Sequence, residues 1–249
     1  MTVREARTII LLVDGSTSVI LHEGMVLKRL GYTVNTARNA EDALFMMENT
    51  PISIVLTDIS LPAMNGVAFI KQIKNSDRLK ATPVVVLTSN DDPGTRDVCM
   101  RMGCAGFLIR PIEPDALYRA LQAVSESKPR GHIRLSTSIN VIVGDGTEMG
   151  GAARTEQATA ISEGGLFVKT HYPQPRHALT PLRIFISDRE IRARAVVLYT
   201  YDSGSGPLQD PGMGMKFVEI ADADRELIRA FIREQVAGGT TAREAGGGS

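Results

Sequence analysis

A chain of 249 residues is long enough for one or two domains, each with its own core. Its 28 basic and 28 acidic residues leave no net charge, and the balance holds in both halves: 13 basic and 14 acidic through residue 127, then 15 and 14. Neither half carries the positive field that a holder of nucleic-acid backbones needs, so no nucleic-acid partner is expected. No apolar run approaches the roughly 18 residues of a membrane span, and the N-terminus runs straight into a strand-like segment without a signal-peptide pattern.

Residues 8–127 alternate short apolar runs with amphipathic stretches. Strands are expected at Thr8–Val13, Thr33–Ala37, Ile54–Thr57, Val84–Leu87 and Gly106–Ile109. Helices are expected near Thr17–Leu30, Ala40–Glu48, Gly66–Asn75, Pro93–Met102 and Pro114–Glu126. Ile9-Ile-Leu-Leu-Val13 and Val84-Val-Val-Leu87 are apolar at every position, the mark of parallel strands covered by helices on both sides. Five such units predict a doubly wound α/β fold whose site lies at the carboxyl ends of the strands. Asp14, Asp58, Thr88 and Arg110 stand just past those ends. A carboxylate on the loop after the third strand can act as a nucleophile toward a phosphoryl group when a metal and a cation screen its charge.

Those positions resemble a response-regulator receiver domain over the full stretch. Asp58, in Leu56-Thr-Asp-Ile-Ser-Leu-Pro-Ala-Met-Asn-Gly66, matches the phosphoacceptor, Thr88 the hydroxyl that meets the phosphoryl group, and Phe107 the switching aromatic. The resemblance implies strand order 2-1-3-4-5, a Mg²⁺ site at Asp14 and Asp58, a histidine kinase among the partners, and dimerisation through the last helices. Two positions depart from the pattern. Gly15 replaces the second acid that binds Mg²⁺, and Arg110 replaces the lysine before Pro111. Losing a carboxylate weakens a Mg²⁺ site. Arg110 keeps its charge permanently, and its fork can hold Asp58 or Asp14 bidentately. The expectation is an impaired metal and phosphorylation site.

At Lys128-Pro-Arg-Gly-His-Ile-Arg134 the character changes. Arg130, His132 and Arg134 share parity, which puts them on one face of an extended backbone. Two readings fit them: a solvated basic linker, or a receptor for anions and guanine edges. Strands are expected at Ile133–Val143, Glu156–Ile161, Leu166–Lys169, Leu182–Ile186, Ile191–Tyr201 and Met213–Glu219. Gly/Pro-rich connections lie between them, Pro173–Pro181 among them. Such a pattern predicts a small antiparallel barrel or sandwich of six strands. It is closed by a helix over Asp222–Val236 with Leu227, Ile228, Phe231, Ile232 and Val236 on one side. On that helix Arg225, Arg229 and Arg233 repeat the four-residue arginine spacing and read as an exposed face. Residues 238–249 are Gly/Thr/Ala-rich and read as a disordered tail.

The turn Ala160-Ile-Ser-Glu-Gly-Gly-Leu-Phe-Val168 distinguishes the first pair of arginines from the helical ones. Arg130 and Arg134, then Ser162 and Gly165, then Gly212-Met-Gly-Met-Lys-Phe217 and a final helix together resemble a PilZ domain across residues 128–237. The resemblance implies a cyclic di-GMP receptor with Arg130, Arg134, Ser162 and Gly165 as binding residues. The family has Asp or Asn where this chain has Ala160, and a lost pair of that kind costs about 1–3 kcal/mol, or roughly ten- to hundredfold in affinity.

The expected organisation is therefore a receiver-like domain (1–127), a PilZ-like domain (128–237) and a tail. Its expected role is that of a cytoplasmic bacterial effector, not an enzyme, that couples cyclic di-GMP to an unidentified signalling protein. One alternative is a ligand-independent scaffold. The other is a phosphorelay regulator phosphorylated on Asp58. Cys99 and Cys104 are too few for a disulfide framework and read as buried reduced thiols, and the four histidines have no metal-ligand spacing.

Overall fold

In the first half, four of the five described helices open on a capping side chain. Ser16, Asn39, Asn65 and Asp92 accept a hydrogen bond from the backbone N–H three residues on, satisfying a donor that the helix start leaves without a partner. The computed structural model describes residues 8–125, 131–148, 150–205 and 210–238. It contains β1 (Ile9–Val13), α1 (Thr17–Arg29), β2 (Thr33–Ala37), α2 (Ala40–Asn49), β3 (Ile54–Thr57), α3 (Gly66–Asn75), β4 (Val84–Thr88), α4 (Pro93–Arg101), β5 (Gly106–Ile109) and α5 (Pro114–Ser125). The chain divides into two compact units at Gly131 and His132.

The first unit is a five-stranded parallel sheet in the order β2-β1-β3-β4-β5. β3 and β4 are buried along their whole length, as is β1 from Ile10 onward. Helices on both faces leave no room for polar alternation. α1 and α4 end alike. Gly31 and Gly103 adopt positive φ, and the next residues, Tyr32 and Cys104, donate back to Leu27 O and Cys99 O at 3.1 Å. This termination packs the sixth residue back onto the first. In α4 it sets the buried thiols of Cys99 and Cys104 against each other, and burial pushes Cys104 up to about 12. Neither is ionised to any useful extent at neutral pH.

In the second unit β6 (Leu135–Val143), β7 (Arg154–Ser162), β8 (Gly165–Lys169), β9 (Leu179–Ile186), β10 (Arg189–Tyr201) and β11 (Gly212–Ile220) close a barrel in the order β10-β11-β8-β7-β6-β9. Every neighbouring pair is antiparallel. β10 shows the period-2 pattern, with Ile191, Ala193, Ala195 and Val197 inside and Arg192 and Arg194 outside. β9 begins at Leu179 and takes in Pro181, which the sequence assigns to the preceding connection. Proline lacks a donor but keeps its acceptor, and Pro181 O receives the Gly144 N–H at 2.9 Å.

α6 (Asp222–Ala237) buries Ile228, Ile232 and Val236. The expectation that its arginines form an exposed face needs correction. Arg225 Nη1 donates to Glu163 O at 3.1 Å, and Arg229 holds the Glu163 carboxylate through Nε and Nη2. Only Arg233, beside Glu226, keeps to the outer side. α6 flanks the β7–β8 turn, and its two guanidinium groups fill the acceptor sites of that turn.

Arg229, with His132 nearby, holds Glu163 below its ordinary value of 4.5. A depressed carboxylate stabilises the fold above its unfolded value, and the contribution is lost as pH falls through the folded value. Arg229→Met is therefore expected to lower the unfolding midpoint by a few degrees at neutral pH. The gap should close in acid below the carboxylate range, as followed by circular dichroism on heating.

Candidate functional site

Two groups of chemistry-bearing residues emerge, one in each unit. In the first, β1, β3 and β4 run in parallel and end together, so the residues that follow them share one rim. Asp14 follows β1 and Asp58 follows β3, with the Asp58 N–H donating to Val13 O at 3.0 Å. The β3–α3 loop folds back tightly: a Cβ on Gly66 would lie 2.2 Å from Asp58 O, so only glycine allows the approach that sets Asp58 in place.

Arg110, after β5, reaches across this rim. Its Nη2 lies 2.8 Å from Asp14 Oδ2 and its Nη1 3.4 Å from Asp58 Oδ2. The bidentate partner is neither of these, contrary to the sequence expectation. Glu23 of α1 takes the fork, with Nε to Oε1 at 2.7 Å and Nη2 to Oε2 at 3.0 Å. Burial alone would lower Arg110. The hydrogen bond and charge of Glu23, then the charges of Asp14 and Asp58, outweigh it and hold the guanidinium above its ordinary value.

Glu23 is the residue that strand-end reasoning misses. It does leave a signal: Ile20, Gly24 and Leu27 are buried positions of α1, and Glu23 sits within that inward stripe. A carboxylate there requires a partner.

Thr88 ends β4 with its hydroxyl buried, accepting from the Asn90 N–H at 3.2 Å. Phe107 belongs to the hydrophobic core, with Arg96 of α4 5.8 Å from its ring centroid. A Cβ at Gly15 would stand 3.1 Å from Pro62 Cδ, so an acid there would have to push the ring aside.

At this rim the cation that faces the acids is a guanidinium. The carboxylates of Asp14 and Asp58 that would ligate Mg²⁺ already face nitrogen, and the described residues hold no cluster of three metal-ligating side chains arranged for a metal. Near-octahedral ligation at about 2.0–2.1 Å would have to draw on the carboxylate oxygens and lone pairs turned away from the fork.

The second group lies at one end of the barrel. Ser162 and Gly165 face each other across the turn joining β7 and β8, and the Ser162 hydroxyl donates to Gly165 O at 3.1 Å. A Cβ on Gly165 would lie 2.1 Å from Met215 O of β11. On the other side of β7, Leu135 pairs with Ile161 and Ser136 with Ala160. Arg134 directly precedes the Leu135–Ile161 pair on the β6 side, and Ser162 directly follows it on the β7 side. Arg134 and His132 are exposed on either side of buried Ile133, so the expected alternation holds although the ladder starts at Leu135. His132 Nδ1 lies 3.1 Å from Glu163 Oε2, within the same turn.

Ser162 ends β7, Gly165 begins β8 and Arg134 stands one residue before β6, all at the same end of the barrel. Arg130 lies outside the described residues, as does the tail from residue 239. Ala160 faces Ser136 and Phe167. The register shifts beside it, leaving Thr159 as a bulge whose hydroxyl is buried without a hydrogen-bond partner among the described residues. No helix among the described residues is long and apolar enough to cross a membrane.

Comparison with known proteins covers both units. Residues 10–122 match the response regulator receiver domain family and residues 126–234 the PilZ domain family. The two-component response regulator-like PRR37 of Oryza sativa subsp. japonica is 32% identical over 117 residues, 46% of this chain and 16% of that protein. The gliding motility regulatory protein of Myxococcus xanthus is 28% identical over 101 residues, 41% and 13% of the respective chains. The chain thus spans about a sixth or less of the length of these two relatives. Among solved structures, chemotaxis protein CheY4 of Vibrio cholerae is 29% identical, covering 48% of this chain and 99% of its own, at a TM-score of 0.46. The chain carries a response regulator receiver domain followed by a PilZ domain, the latter a cyclic di-GMP-binding family.

Proposed function

We propose that this chain is a bacterial signalling effector without catalytic activity of its own. In this reading it binds cyclic di-GMP at the Arg134–Ser162–Gly165 rim and passes the bound state to a protein partner through a receiver whose metal and phosphorylation site is impaired. Both domains are regulatory in kind. The observation that supports the proposal is the register of β6, β7 and β8, in which the residue after Arg134 pairs with the residue before Ser162, and Ser162 pairs with Gly165. Arginine forks suit the ligand's phosphates and the O6/N7 edge of guanine, and Gly165 lets the backbone approach closely. Arg130 joins the clamp in this reading. The cytoplasm, where cyclic di-GMP is made and degraded, is the setting.

Ala160 sets the strength. It supplies no acceptor for the guanine donor edge, and Phe167 opposite it offers only apolar surface. Titration calorimetry of the full chain with cyclic di-GMP is expected to give heat with the wild type. Arg134→Ala should weaken binding by tenfold or more, and Ala160→Asp should tighten it by roughly ten- to hundredfold. Absence of heat from the wild type at micromolar protein, together with gain of binding in Ala160→Asp, would instead favour the scaffold reading.

The engagement of Asp58 by Arg110 weighs against a working phosphorelay site. After incubation with a small phosphodonor and Mg²⁺, the wild type is expected to run with Asp58→Asn on a phosphate-retarding gel. A shifted band lost only in Asp58→Asn would restore the phosphorelay alternative.

A further inference from the structure

Three carboxylates surround one guanidinium at the receiver rim, and the third comes from a place outside the family's motif. Gly15 supplies no acid, while Glu23 projects from the second turn of α1 into the same space. All four side chains are at most 14% exposed. The fork is used almost completely. Nε and one Nη2 hydrogen go to Glu23, the other Nη2 hydrogen goes to Asp14, and Nη1 faces Asp58. Of the five N–H groups of a guanidinium, three are hydrogen-bonded to carboxylates, and Nη1 adds an ion pair with Asp58 at 3.4 Å. An ammonium carries three donors around a single point and cannot span three acids spread in this way.

We propose that Glu23 is a positioning residue that parks Arg110 in the cation place of the receiver, so that the chain provides from within the positive charge this acidic rim requires. The inference rests on the reading of the receiver as metal-impaired and names the cause of the impairment. Removing the second loop acid weakens the pull on a divalent ion. Moving an acid into α1 redirects the pull onto the guanidinium, because the Glu23 carboxylate meets the Nε edge of the fork and leaves the Nη edge turned toward Asp14 and Asp58. The rim is thereby held in one arrangement whether or not Mg²⁺ is present.

Thermal unfolding of the full chain in EDTA and in millimolar Mg²⁺ or Mn²⁺ tests this. The wild type is expected to show no metal-dependent shift. Arg110→Ala leaves three partly buried acids without a cation, so it should unfold earlier in EDTA and regain roughly 5 °C with either metal. Glu23→Gln alone, with Arg110 kept, should free the fork from its anchor and acquire a metal shift that the wild type lacks. Arg110→Lys, a milder change, serves as the control if Arg110→Ala does not fold: it too should acquire a metal shift. A metal shift in the wild type equal to that of the variants would overturn both the inference and the metal-impaired reading. Absence of a metal shift from every protein, or a shift indifferent to Glu23, would overturn the inference alone and leave the impaired receiver standing.

Discussion

The receiver unit depends on how a permanently charged group is kept inside it. Arginine cannot discharge itself by losing a proton, so its burial is tolerable only where acids surround it. Arg110 meets that condition with residues from three different elements. Asp14 comes from the end of β1, Asp58 from the end of β3 and Glu23 from α1. The ion cluster therefore ties the helical layer to the sheet at the point where the parallel strands stop. In many acidic pockets a bound ion does this work and can leave. Here the cation is covalently part of the chain and stands among three carboxylates.

The PilZ unit solves a related problem with less burial. The β7–β8 turn must be tight enough for Gly165 to lie against Met215 O, and it carries Glu163 at its tip. Left alone, that carboxylate would repel an anionic ligand. Arg229 and Arg225 of α6 bind the tip from one side, and His132 approaches from the other. The closing helix thus does more than cover the barrel with Ile228, Ile232 and Val236; it also neutralises the charge at the mouth of the candidate site.

Much of this was legible from residue pattern. Continuous apolar runs identified the parallel strands, and alternation in Ile191–Tyr201 identified a barrel strand. The positions past the strand ends led to Asp14, Asp58 and Arg110. What escaped did so for physical reasons. Glu23 lay on a helix, away from the strand ends, and its importance shows only once Ile20, Gly24 and Leu27 are known to face inward. Arg225 and Arg229 were misjudged because periodicity distinguishes a helix's apolar stripe from its remaining surface but does not reveal which loop reaches its flank. That Leu135, next to Arg134, pairs with Ile161, next to Ser162, depends on strand register, and the bulge at Thr159 changes that register locally.

The hydrogen bond across the β7–β8 turn has a directional consequence. A serine hydroxyl owns a single proton, and in Ser162 that proton points at the carbonyl of Gly165. What remains facing outward is a pair of lone pairs. Ser162 is accordingly an acceptor at this rim, and a molecule that approaches it gains by bringing an N–H or O–H of its own. A phosphate oxygen brings none, whereas the amide-like edge of a purine does. In the proposed complex the polarity of one hydroxyl would thus favour the purine edge beside the turn and leave the phosphate to the arginine.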